Sequence, residues 1–198
     1  MKLIARFAVE SPTLAFLDFE ASSLAKRSYP IEVAWIFEDG RSESYLIRPA
    51  PDWTDWDPAA EAIHHIGRDL LLRDGSDHGL VAARMIAELS GHDLLASAPS
   101  WDGKWMSALL RAAGLPRHSL RLRKSDEALR EVAVAVLAPV VPSPDLDAAV
   151  AKILGSGLPC DHGLAAHRAL PDAEAERARW LAVREAAERV ADAWRTSG

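Results

Sequence analysis

Hydrophobic residues fall in short runs over the first quarter of the chain and mostly in helical spacing after it. TLAFLDFE (13–20), IEVAWIF (31–37) and SESYLIR (42–48) read as strands, where side chains alternate between two faces. EDGR (38–41) joins the second to the third as a hairpin, because Asp-Gly suits a tight turn. PAPDWTDWDP (49–58) fits no regular element. Helices are expected over 59–67 and over 78–91, the second ending at Gly91. DLLASA (93–98) reads as an interior strand, followed by a helix over 100–115 with Ser100 as its N-cap candidate. A strand at 119–123 and helices at 126–138 and 145–154 come next, the two helices split by APVVPSP (138–144). Residues 161–171 read as a turn or short helical segment, and 172–195 as a long helix with mixed charge on its outer face. Three meandering strands followed by strands alternating with helices imply one α/β sheet with helices on both faces. No repeat, low-complexity tail or linker divides the chain, so residues 1–198 read as a single domain.

One strand carries an electrostatic problem. Asp18 and Glu20 lie two apart, so they share a face with Leu14 and Phe16. Two adjacent carboxylates repel, and burial adds to the cost. A lone pair of this spacing is also compatible with a surface role. Near the end of a central strand, it can equally hold a hard divalent cation, which takes oxygen ligands.

Composition narrows the classes. Hydrophobic residues make up 49% and charged residues 26%, which is ordinary for a soluble globular protein. A net charge of −6 argues against a protein that grips long duplex DNA by its phosphates, though not against one that holds a short or single-stranded end. The single cysteine, Cys160, rules out an internal disulfide and points to a cytoplasmic setting. The start MKLIARFAVESP has no long apolar core and no run approaches a membrane span, so neither a signal peptide nor a membrane partner is expected.

Further carboxylates are available for such a cation. Asp102 falls in the first turn of a helix that follows an apolar strand, at the sheet edge where α/β folds bind ligands. A helix-dipole role would explain it equally. His167 and Asp172 are five apart, a spacing that on one helix would set them roughly 140° from each other. Pro171 favours the first helical position, so the helix is expected to start near 171, leaving His167 on the preceding segment, free to swing toward Asp172.

FLDFEASSL, PIEVAWI, SWDGKWM and AHRALPDA, in that order over about residues 13–176, resemble the motifs of the DEDDh exonucleases, the DnaQ-like 3′–5′ exonuclease family. The last, a His and an Asp with four residues between them, is the most specific. The resemblance implies an RNase H-like mixed sheet. It implies that Asp18, Glu20, Asp102 and Asp172 bind two divalent metals, Mg²⁺ or Mn²⁺, and that His167 is the general base on the attacking water. Ala21, Ser22 and Leu24 would line the pocket for the terminal nucleotide. IHHI (63–66) would add His64 and Ile66. The substrate implied is a single-stranded 3′ end of DNA or RNA. The chain departs from the family pattern at Ser97 and Ala98, where His-Asn is frequent, at Trp101, where Phe is usual, and at His65, where Gly is common.

Other signals stay open. Trp105 reads as core or pocket wall, and Arg168 as a phosphate contact by its position beside His167. Trp53 and Trp56 can stack on bases or pack on the next helix. Arg117, Arg121, Arg123 and Lys124 form the densest basic cluster, either a nucleic-acid contact or a solvated face. Two rival functions remain: a non-catalytic binding module, and a phosphodiesterase of very short oligonucleotides. A homodimer, the commonest oligomer, is also left open.

Overall fold

A computed structural model describes residues 13–156 and 167–197. Cys160 and the start of the 161–171 turn lie outside the described residues. β1 (Leu14–Ala21), β2 (Pro30–Phe37) and β3 (Ser42–Arg48) pair antiparallel in sequence. A two-residue β4 (Ser76–Asp77) pairs parallel with β3. On the other side of β1, β5 (Asp93–Ala96) and β6 (Leu122–Lys124) add in parallel, giving the order β4-β3-β2-β1-β5-β6. The turn after β2 is held by Gly40 at φ 95°, where only glycine is unstrained, as Asp-Gly implied.

Alternation along β1 sorts the layers. Ala15, Leu17, Phe19 and Ala21 enter a core beneath α3 (His78–Leu89) and α4 (Pro99–Ala112), with Trp35, Met85 and Leu109. Phe16, on the other face, packs with Ile36 and Leu95 under α5 (Ser125–Leu137), α6 (Ser143–Leu154) and α7 (Ala169–Ser197). Asp18 and Glu20 therefore continue the face that α7 covers. A smaller cluster of Tyr29, Ile31, Ile66 and Leu71 seats α1 (Pro58–His64) and α2 (Arg68–Asp74) against the sheet.

Several boundaries differ from the sequence reading. The strand expected at 119–123 is only β6, and local pattern gives no sign of α2 or β4. The N-cap of α4 is Ala98 rather than Ser100, because Pro99 takes the first helical position, where its fixed φ is already helical. α7 begins at Ala169 rather than near 171; Pro171 is tolerated there because first-turn residues have no intrahelical partner for an N–H. Asp172 instead donates its N–H to the Arg168 carbonyl at 3.2 Å.

Gly75 closes α2 against β3. A Cβ there would lie 2.3 Å from the Leu71 carbonyl oxygen and 2.7 Å from the Arg48 nitrogen, both backbone atoms that cannot turn aside. Gly75→Ala is expected to destabilise the protein by about 1–3 kcal/mol, read as a lower urea midpoint. An unchanged midpoint would mean that α2 can move off β3 freely.

Candidate active site

β5 accompanies β1 only as far as Phe16, opposite Leu95. Past that point the β5 side of β1 is open, and the first turn of α4 fills it. There Asp102 is 3% exposed and hydrogen-bonds with the backbone at Ala98 and Phe19. Its Oδ2 is buried and has no hydrogen-bond partner among the described residues. From the covered face, α7 delivers Asp172. One oxygen each of Asp18, Glu20 and Asp172 lie within 4.8 Å of one another. The sequence reading did not contain this geometry, but three of its four carboxylates converge, and Asp102 reaches the same strand from the other layer.

This arrangement is strained while it carries full charge. Burial raises the Asp18 carboxyl well above its usual range, and Asp102, Glu20 and Asp172 add to the effect. Burial, then Asp172 and Glu32, pushes Glu20 up to about 8, with Arg168 pulling against them. Burial lifts Asp102 to about 7 despite its backbone hydrogen bonds. Three buried carboxyls whose pKa values are all raised, and one orphaned carboxylate oxygen, suit oxygen-loving divalent ions. The donor set therefore fits the metals implied by the motifs.

Glu32 is the site residue that sequence reasoning missed. It stands directly across from Glu20 in the β1–β2 register and is 2% exposed. Like charges placed so would destabilise the pair. Its carboxylate instead accepts from Arg168 at both Nε (2.8 Å) and Nη2, and from the Ala169 backbone N–H at 3.0 Å. That bidentate pairing holds the guanidinium firmly protonated. A side chain on β2 thus caps the N-terminus of α7, where the helix dipole also favours an anion. The clamp fixes the chain between exposed His167 and Asp172. The signal was legible: a carboxylate in the otherwise apolar run PIEVAWI raises the same question as Asp18 and Glu20.

The remaining pocket candidates take different places. Arg168 is committed to Glu32 and sits close enough to Glu20 to lower its pKa. Ala21 is buried, and Ser22 is fully buried, donating to Asp55 at 3.2 Å and accepting from the Tyr29 N–H at 3.1 Å. Leu24 is 68% exposed on the turn that follows. His64 is buried; its Nδ1 accepts from the Ile66 N–H at 3.0 Å, its Nε2 is unpartnered among the described residues, and burial lowers its pKa. Ile66 is fully buried. His65, at the usual glycine position, adopts the left-handed conformation at φ 58° that ends α1. Trp105 packs in the core and donates its indole N–H to Ser28 Oγ at 3.0 Å. Trp53 stacks on Tyr29 at 5.1 Å, and Trp56 donates to Glu61 at 2.7 Å.

No protein-family model matches the chain, and no curated protein matches it. Solved structures do. E. coli exonuclease I, in a zinc-bound complex with single-stranded DNA, superposes with a TM-score of 0.64 at 18% identity, over 89% of this chain and 41% of its own. The same enzyme with a dT13 oligonucleotide gives 0.62 at 19%, over 91% and 43%. Exonuclease I from Methylocaldum szegediense gives 0.62 at 20%, over 88% and 40%. The chain thus has the RNase H-like fold of exonuclease I, as its motifs implied, and spans less than half the length of these structures. Among the described residues, no helix is long and apolar enough to cross a membrane.

Proposed function

We propose that the protein is a metal-dependent 3′–5′ exonuclease acting on single-stranded DNA or RNA ends. The observation that carries this reading is the convergence of Asp18, Glu20 and Asp172 oxygens within 4.8 Å, beside a buried Asp102 whose Oδ2 has no partner among the described residues. The structural likeness to exonuclease I solved with single-stranded DNA supports it. Asp18, Glu20, Asp102 and Asp172 would hold two divalent cations, Mg²⁺ or Mn²⁺. When bound, these ions supply positive charge that offsets the anion building on phosphorus and polarises the attacking water.

The chain's own residues do the rest. His167, exposed at the mouth of α7, takes the proton from the water as its oxygen attacks phosphorus. The bond from phosphorus to the 3′ oxygen of the penultimate nucleotide breaks, that oxygen gains a proton from solvent, and a nucleoside 5′-monophosphate leaves. Glu32, through Arg168 and Ala169, sets where His167 stands. Leu24, apolar and exposed beside Ser22, offers a surface for the terminal base.

Short 5′-labelled DNA and RNA strands of matched sequence, incubated with Mg²⁺, Mn²⁺ or EDTA, test the reading. A ladder shortening from the 3′ end with metal alone supports it. His167→Ala is expected to lower turnover by about 10²–10⁴-fold while metal still stabilises the protein. Metal binding with no ladder on either strand would overturn the exonuclease reading in favour of a smaller phosphodiester. Absence of both would leave a binding module.

A further inference from the structure

The structure separates the basic cluster at 117–124 into two groups. Arg123 is held by Asp93 at 2.6 Å and Glu131 at 2.8 Å, and Lys124 by Asp126 at 3.0 Å. Those two cations are already neutralised. Arg117 and Arg121 make no salt bridge among the described residues, and both are exposed. They face a groove of about 590 Å³ that runs along α4 and is lined by Pro99, Gly103, Lys104, Arg117, His118 and Arg121, among others. Among the described residues, no carboxylate lines it. In a chain of net charge −6, three cations and an imidazole line one groove, and the nearest acidic influence on them, Asp55 acting on Lys104, comes from outside it.

The groove's position gives it meaning. It opens at Pro99 and Gly103, in the turn of α4 that also carries Asp102 toward β1. Lys104, on the groove wall, sends its Nζ to the Ala25 carbonyl at 2.7 Å and Ser28 Oγ at 2.8 Å, 4.9 Å from the Trp101 ring centre, which ties the groove to the exposed turn bearing Lys26 and Arg27. Lys26 and Arg27 on that turn, Lys104 on α4, and Arg117 and Arg121 in the groove make no salt bridge among the described residues. Single-strand binders use such grooves to track the backbone.

We propose that this groove is a second contact site, which binds the phosphodiester backbone of the strand upstream of its 3′ end. This rests on the exonuclease reading and adds to it the path of the substrate and a preference for length. On this proposal a dinucleotide spends its single phosphodiester at the carboxylates, whereas a longer strand has further phosphates to place in the groove.

Arg117→Ala with Arg121→Ala tests this, since both side chains are exposed and the one hydrogen bond at stake, from Arg117 Nε to His118 Nε2 at 2.9 Å, is itself on the surface. A charge-matched control replaces Lys152 and Arg189, on α6 and α7. In EDTA, a fluorescent strand of dT or rU about 15 nucleotides long is followed by anisotropy at several salt concentrations. The groove variant is expected to bind about tenfold more weakly at low salt, with its log–log salt slope shallower by about 1.4, for two lost phosphate contacts. With metal, its kcat/KM on the long strand should fall through KM, while a dinucleotide is cleaved as by the wild type. Equal binding and equal KM in the variant and the wild type would overturn the groove while leaving the nuclease intact. The same loss in the control would reduce it to net charge, which also overturns it. A wild type that degrades neither strand nor dinucleotide would remove the exonuclease reading, and the groove with it.

Discussion

Asp18→Asn should give a folded protein that no longer gains stability from Mg²⁺ or Mn²⁺ and whose nuclease turnover falls by about 10³-fold or more. The effect on the metal-free protein should have the opposite sign. Asp18, Glu20 and Asp102 all have carboxyls raised by burial, Glu20 to about 8 and Asp102 to about 7. Over the interval between the unfolded and folded pKa values the native state binds more protons than the unfolded chain, so stability declines as pH rises. The contribution of these three carboxyls is therefore fully present near pH 4 and falls by on the order of a few kcal/mol toward pH 8 in the metal-free wild type. The amide introduced by Asp18→Asn has no acidic proton to lose, so the decline should be shallower in the variant. Cations bind the ionised form and should cancel the decline in the wild type alone. Thermal melts from about pH 5 to 8, in EDTA and in Mn²⁺, separate these effects. A variant that still gained stability from Mn²⁺ would show that Asp18 does not hold the ion.

The features that set these effects differ in how far the sequence displays them. The face shared by Phe16, Asp18 and Glu20 follows from a period of two, so β1 and its two layers were legible from the residues. So was the placing of Asp102 in a first turn after an interior strand. The start of α7 was not, because Pro171 is a strong local signal and the stronger determinant is Glu32, far away in sequence. A carboxylate that caps a helix across 137 residues leaves no mark in local propensity. α2 is hidden for a related reason. Its RDLLLRD is short, and what holds it is Leu71 buried against Tyr29 and Ile31, with Gly75 allowing the close approach to β3. The basic cluster was visible as composition, but only the ion pairs of Arg123 and Lys124 show which of its members are spent.

Glu32→Ala should cost about 2–3 kcal/mol of stability, one of the largest effects of any single change at the site. Removing one partner of a buried ion pair costs about 3–5 kcal/mol when the other stays buried and unpaired. Arg168 is 41% exposed, so its guanidinium can turn back to water, which moves the expectation to the range for lost charged hydrogen bonds, about 1.5–3 kcal/mol. The Ala169 N–H also loses its acceptor, at the end of a 29-residue helix that packs on β1 and β2. Glu32→Gln keeps an acceptor for that N–H and should recover about half of the loss. It should not recover the metal. With the Glu32 charge gone, Arg168 is left to pair with Glu20, whose pKa it already lowers, and a cation must then compete with a guanidinium for that carboxylate. Mn²⁺ affinity is expected to fall about tenfold in the Gln variant, equivalent to roughly 1.4 kcal/mol. Urea melts and a Mn²⁺ titration read the two effects separately. If Glu32→Ala melts with the wild type, α7 is docked by its apolar face alone; if Glu32→Gln binds Mn²⁺ as tightly as the wild type, Arg168 does not reach the metal site.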